Sequence, residues 1–131
     1  MQSENSHASD RHILVIAHTG RAESLTAAIA VCRQLISAGI VPVLAPDSYE
    51  TILQAEPSLS PVRRLGNEVE TGELELVIVL GGDGTILRAA ELTRGCSAPL
   101  LGVNLGHVGF LAESEREELT STVERALARD Y

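Results

Sequence analysis

Three glycines, an aspartate and a threonine, Gly81-Gly82-Asp83-Gly84-Thr85, follow directly on the apolar run Leu76-Val77-Ile78-Val79-Leu80. Glycines admit positive φ and let backbone amides approach a ligand closely. The apolar pattern that resumes at Ile86 predicts a helix opening near Thr85, whose unpaired first-turn amides and positive dipole end aim at the same point. Together these features make a seat for phosphate. Asp83 conflicts with a seat alone, because its carboxylate repels a polyphosphate. It fits if it faces a hydroxyl or a metal ion beside the phosphates and takes the proton of the group that attacks the terminal phosphoryl. Phosphoryl transfer asks mainly for positioning and charge neutralisation. A kinase acting on an alcohol accounts for both features. A structural role also accounts for them, with Asp83 capping the helix and the glycines turning the chain.

The elements that position this loop follow from hydrophobic periodicity. His12 to Ala17 is a β-branched, nearly continuous apolar run that suits a strand covered on both faces. From Ser24 to Ala38, Leu25, Ile29, Cys32 and Ile36 repeat at helical spacing, and Gly39 stands where a helix ends. Ile40 to Leu44 is a second strand in which Pro42 points to an edge or a bulge. Residues 45–72, broken by Pro46, Pro57 and Pro61, are irregular apart from a helical look at Ser48 to Gln54. Leu74 to Leu80 is the most apolar strand and the expected centre of the sheet. Thr85 to Thr93 is a helix with Ile86, Ala89 and Ala90 inward, and Leu100 to Val103 is the next strand. Ser114 and Glu117 have capping-box spacing for a last helix with Leu119, Val123 and Ala126 inward. Alternating strands and helices predict an α/β fold, a three-layer parallel sheet of Rossmann-like type. Ligands bind such sheets at the strand carboxyl ends. The loops His18 to Arg21, Gly81 to Thr85 and Asn104 to Phe110 all fall on that edge.

At 131 residues the chain fits one domain. With 18 acidic and 10 basic side chains and a formal charge of -8, neither nucleic acid nor an anionic membrane is the expected partner. Every basic side chain counted is Arg. The absence of Lys excludes the P-loop with its phosphate-binding lysine, so any phosphate grip uses amides, helix ends, Arg or a metal. Cys32 and Cys96 have no metal-ligand spacing and read as small buried apolar residues. Residues 1–11 read as a disordered polar tail before the domain at 12–131. Nothing in the sequence resembles a signal peptide or a membrane span, and the expected location is the cytoplasm.

Gly-Gly-Asp-Gly-Thr after an apolar strand resembles the signature of the superfamily of NAD kinases, diacylglycerol and sphingosine kinases and, more distantly, phosphofructokinases. The second loop separates these branches. Gly102-Val103-Asn104-Leu105-Gly106-His107-Val108-Gly109-Phe110-Leu111 is similar to the NAD kinase form, and the Pro-x-Gly-Thr-Gly-Asn-Asp pattern usual in the lipid kinases is absent. The opening His18-Thr19-Gly20 and the spacing of the motifs are similar to those of bacterial NAD kinases from about Ile13 to Tyr131. The resemblance implies that Asp83 is the base on the ribose 2′-hydroxyl, that Gly84 lines the NAD site and that Arg88 contacts the dinucleotide. It also implies that Phe110 packs on a base. For Arg88 a solvated helix arginine, and for Phe110 a core position, stand as alternatives. His107, between two glycines, would meet a phosphate or base or else be simply exposed. Asn104 would tie its own loop, and His18 and Arg21 would reach phosphates. Gly81, Gly82, Thr85 and Gly106 complete the expected nucleotide-binding set, and no protein metal ligand is assigned.

The resemblance thus implies transfer of the γ-phosphoryl of ATP, with Mg²⁺ or another divalent ion, to the adenosine 2′-hydroxyl of NAD⁺. It also implies a homo-oligomer for the full-length protein. Two features depart from the family. Val108 stands for a commoner Leu, and the family's C-terminal all-β domain with its Asn-Glu or Asn-Asp motif does not follow Tyr131, so the chain alone is expected to be weakly active or inactive. A lipid or polyol kinase of the same superfamily and a non-catalytic nucleotide-binding module remain as alternatives.

Overall fold

The computed structural model describes residues 11–18, 20–105 and 111–131. β1 (Ile13–Ala17) and β4 (Leu76–Gly81) are buried at every position, as unbroken apolar runs require of strands covered on both faces. Between and beyond them the chain runs through α1 (Ala22–Ser37), β2 (Pro42–Leu44), α2 (Pro46–Ala55) and β3 (Arg63–Arg64). After a 3₁₀ turn at Thr71–Glu73 and β4 come α3 (Asp83–Leu92), β5 (Leu100–Asn104) and α4 (Glu113–Ala128). All pairings are parallel, in the order β3-β2-β1-β4-β5. This is the expected parallel α/β sheet, although β1, not β4, is its middle strand.

Side-chain alternation divides the core into two layers. Ile13 and Val15 of β1, with Leu76, Ile78 and Leu80 of β4, face α1, Ile52 of α2, and Leu119, Val123 and Ala126 of α4. Leu14, Ile16, Val77 and Val79 face the other way, toward Ala89 of α3 and toward Leu65, Val69 and Leu74 of the segment entering β4. Helices therefore cover both faces.

Several local expectations are corrected. Pro42 is neither at an edge nor in a bulge. It is the first residue of β2, opposite Ile13, and the ladder to β3 starts only at Val43, so its missing N–H removes nothing from that side. The outer edge beyond β2 is the two-residue β3, which the sequence does not announce. Pro46 opens α2 at its first turn instead of breaking it, because the N–H it lacks would have no helical partner there. The buried stripe of α1 is rotated toward Ala27, Ala28, Val31, Cys32 and Leu35, with Leu25, Ile29 and Ile36 on its flank. Small alanines let α1 pack closely, and α4 lies against it. In α3 Ala89 is buried, Ala90 is exposed, and Leu87 is 68% exposed. The capping contact of α4 comes from Glu115, which accepts the Ala112 amide at 2.9 Å, two residues earlier than the Ser114 spacing implies.

Arg11, placed by the sequence in the tail, is part of the folded body. Its guanidinium forks onto Glu75 (Nε to Oε1 2.9 Å, Nη2 to Oε2 2.5 Å) and donates to the carbonyls of Ala126 and Leu127 at 2.8 and 3.2 Å. A cation on the last carbonyls of α4 is favoured by the helix dipole. The Tyr131 hydroxyl also donates to Glu75. This network closes the amino edge of the sheet, and the loops of interest leave the opposite edge. Among the described residues no helix is long and apolar enough to cross a membrane.

Candidate active site at the strand switch point

In the order 3-2-1-4-5 the chain leaves β1 for the helix layer on one face and leaves β4 for α3 on the other. The two connections diverge, and a crevice opens between the carboxyl ends of β1 and β4, the place where such sheets take ligands. A cleft of about 500 Å³ lies there. Ile16, Ala17 and His18 form its floor, Gly20 and Arg21 one wall, and Gly82, Gly84, Thr85 and Arg88 the other. That volume is within the range of small-molecule sites, roughly 300–1,000 Å³.

The glycines of the turn have different physical reasons. Gly81 ends β4 at φ 151°, and a Cβ there would lie 2.6 Å from Thr85 Oγ1 and 3.0 Å from Thr85 Cβ. Only glycine allows the first turn of α3 to fold back over the strand end so closely. Gly82 and Gly84 have nothing within 4 Å of a hypothetical Cβ. Packing does not explain them, and both line the cleft, where a side chain would fill space that backbone amides now face. Gly82 is the N-cap of α3, and no side chain caps the helix. The first-turn amides and the positive end of the dipole thus remain available to an anion.

The charge pattern agrees with this geometry. In a chain of formal charge -8, the described residues that line the cleft include two arginines and a histidine and no carboxylate. His18 Nδ1 accepts the Gly20 amide at 3.2 Å, which leaves Nε2 as the proton-bearing nitrogen of the neutral ring. Arg21 pairs at 2.6 Å with Glu23, whose side chain is 2% exposed, and Arg88 pairs with Asp47 at the start of α2. Glycine turn, uncapped helix start and basic walls are features that suit a phosphorylated ligand.

The family model of the ATP-NAD kinase N-terminal domain matches residues 13–131. The chain belongs to the NAD kinase family. An NAD kinase of Leifsonia xyli is 67% identical over 124 residues, covering 95% of this chain and 41% of the relative. One of Thermobifida fusca is 48% identical over 124 residues, covering 93% and 38% respectively. The chain therefore spans about 40% of the length of the curated relatives it matches. Among solved structures, yeast NADH kinase complexed with NADH superposes with a TM-score of 0.63 at 21% identity, over 86% of this chain and 35% of that one, a likeness of fold.

The Gly-Gly-Asp-Gly-Thr run by which the sequence resembles NAD kinases sits at the switch point, but its members do different things. Gly82, Gly84, Thr85 and Arg88 line the cleft, with His18 and Arg21 opposite. Asp83 does not line it. It is the first residue of α3, exposed, and makes no side-chain cap, so helix capping does not account for it. Asn104 ends β5 in register with Gly81, and the Leu105 amide donates to the Gly81 carbonyl at 3.1 Å, which fastens the start of the third loop beside the glycine turn. Asn104 is exposed and outside the cleft. Gly106, His107 and Phe110 lie outside the described residues, as do residues 1–10. Sequence reasoning missed Asp47. Its only signal was an acidic residue just after the end of the second strand, in a segment set aside as irregular. Among the described residues no three His, Cys, Asp or Glu side chains cluster as a metal site.

Proposed function

We propose that this chain supplies the phosphate-binding half of an NAD kinase active site, in which ATP phosphorylates the adenosine ribose 2′-hydroxyl of NAD⁺. The observation that carries the reading is an exposed carboxylate, Asp83, set between two glycines that line an anion-binding cleft and using none of its hydrogen-bonding capacity to cap its helix. In this reading the polyphosphate lies against the amides of Gly82, Gly84 and Thr85, with Arg21 and Arg88 as counter-charges. Asp83 takes the proton from the 2′-hydroxyl as that oxygen bonds to the γ-phosphorus, while the bond from phosphorus to the β–γ bridging oxygen breaks and ADP leaves. A divalent ion such as Mg²⁺ would arrive with the ATP. Mg²⁺ is commonly held by one or two carboxylates plus substrate phosphates, and Asp83 is the carboxylate available at the turn. The ion would neutralise charge developing on the transferred phosphoryl.

The test is a chimaera in which this chain replaces the matching residues of the Leifsonia xyli relative. It is expected to phosphorylate NAD⁺ with ATP. Asp83→Asn should lower kcat by about 10²–10⁴-fold, the usual share of a general base, while the affinity for metal-free ADP stays within about threefold because no contact to the nucleotide itself is removed. Undiminished turnover by the Asn variant would remove Asp83 from the mechanism. Preference for a lipid or polyol alcohol over NAD⁺ would overturn the acceptor.

A further inference from the structure

Asp47 and Arg88 come from opposite sides of the sheet. Asp47 lies in the first turn of α2, whose Ile52 packs in the layer of α1 and α4, whereas Arg88 lies on α3, whose Ala89 packs in the other layer. The strands leading into these helices, β2 and β4, flank β1 on either side. Two strand spacings, roughly 10 Å, separate them. The ion pair between Arg88 and Asp47 therefore crosses the carboxyl end of β1, over the residues that floor the cleft.

The two arginines of the cleft are held unequally. Glu23, the partner of Arg21, is 2% exposed, so drawing Arg21 away would break an ion pair on a buried carboxylate. Asp47 is 47% exposed and Arg88 66%, so either is readily solvated when they part, and such surface pairs contribute little net stability. A phosphate in the cleft offers Arg88 a charge-assisted, bidentate partner beside the α3 dipole. Arg21 is thus a fixed counter-charge and Arg88 an exchangeable one.

We propose that Asp47 restrains anion binding, holding the Arg88 guanidinium across the cleft and yielding it to a phosphate group of an entering nucleotide. The inference rests on the reading of the cleft as a phosphate site and is independent of the acceptor. Asp47 acts as an intramolecular competitor, so removing its charge makes anion binding tighter.

Calorimetric titration of the full 131-residue chain with inorganic tripolyphosphate at 0.15 M salt tests this, alongside the nitrogen-detected Arg88 side-chain resonance. Asp47→Asn is expected to tighten binding about two- to fivefold, the release of a surface pair of ordinary strength. Arg88→Gln is expected to weaken it about tenfold or more. In the Arg88→Gln background the Asp47→Asn gain should vanish. The Arg88 resonance should shift on ligand addition in the wild type, and in Asp47→Asn before it. Unchanged or weaker binding by Asp47→Asn, an equal gain without Arg88, or no binding of tripolyphosphate by the wild-type chain each overturns the proposal. If the cycle closes as stated but the chimaera does not phosphorylate NAD⁺, the exchange stands and the acceptor reading falls.

Discussion

Replacing the turn glycines one at a time with alanine separates folding from binding. At Gly81 the added Cβ meets both Oγ1 and Cβ of Thr85, at 2.6 and 3.0 Å, so rotating the threonine about χ1 does not relieve the contact. The backbone also sits at φ 151°, outside the comfortable range of an L side chain. Backbone strain of about 1–3 kcal/mol and overpacking of about 1–3 kcal/mol give an expected loss of roughly 2–5 kcal/mol, a large part of the stability of a domain this size. At Gly84, inside α3, the added methyl meets nothing and the backbone is helical. The helix gains up to about 1 kcal/mol from the lower conformational freedom of alanine, which raises Tm by about 4 °C.

The anion response is expected to run the other way. A methyl at Gly84 projects where the polyphosphate meets the backbone, so Gly84→Ala should weaken ADP binding by at least about tenfold while the protein becomes more stable. Circular-dichroism melts with urea titration read the first quantity, and calorimetry with ADP the second. A Gly84→Ala protein that binds ADP as the wild type does would refute the assignment of the open glycines to ligand approach. A Gly81→Ala protein of unchanged stability would refute the close-packing account of the strand end.

Two further outcomes concern the rest of the fold. Hydrogen bonding from Arg11 holds the Glu75 carboxyl below its ordinary value, with burial opposing and Tyr131 and Arg129 assisting. A depressed folded value means that the stabilisation is full above the unfolded carboxylate range, about pH 4.3, and is lost as pH falls through the folded value. Glu75→Gln should therefore cost about 1.5–3 kcal/mol at pH 7 in urea titrations and flatten the acid limb of the stability profile. A wild-type acid limb retained in the variant would contradict this. Burial pushes the Cys32 thiol up to about 12, whereas Cys96 is half-buried at the surface, with its Sγ 3.1 Å from the Thr71 carbonyl oxygen. Iodoacetamide at pH 8 is expected to modify Cys96 slowly in the folded protein and Cys32 only after denaturant is added, as read by mass spectrometry. Equal labelling rates would show that the α1 core opens far more readily than its packing implies.

What the sequence made legible is what local chemistry dictates. The two-face burial of β1 and β4 followed from their apolar runs, and the glycine turn announced a helix start. The inner face of α4 was equally plain, since Leu119, Val123 and Ala126 repeat at helical spacing beneath a polar surface. Where a residue's state depends on a distant partner, the pattern was silent or misleading. Pro42 reads as an edge residue unless the ladder to β3 is known to begin one position later. Cys96 reads as core until α3 and the 3₁₀ turn leave it half-covered. The stripe of α1 is displaced because alanines at the sheet pack closer than the larger residues that dominate its periodicity.

The same distinction separates the two halves of the cleft. Its glycine wall is built from backbone geometry within five consecutive residues, so motif and site coincide there. Its charge arrangement is not local, because the exchangeable pair joins residues 41 positions apart, on helices of opposite layers. Nothing near Asp47 in sequence marks it as a partner of Arg88; only the strand order, with β1 between β2 and β4, brings the two together. The anion-binding capacity of a glycine-rich turn at a helix start comes from its own backbone amides, whereas the strength and salt response of such binding belong to the sheet that carries it. Family membership predicts the first. The second has to be read from the topology, which is why Asp47, rather than a residue of the glycine turn, is the informative position to vary.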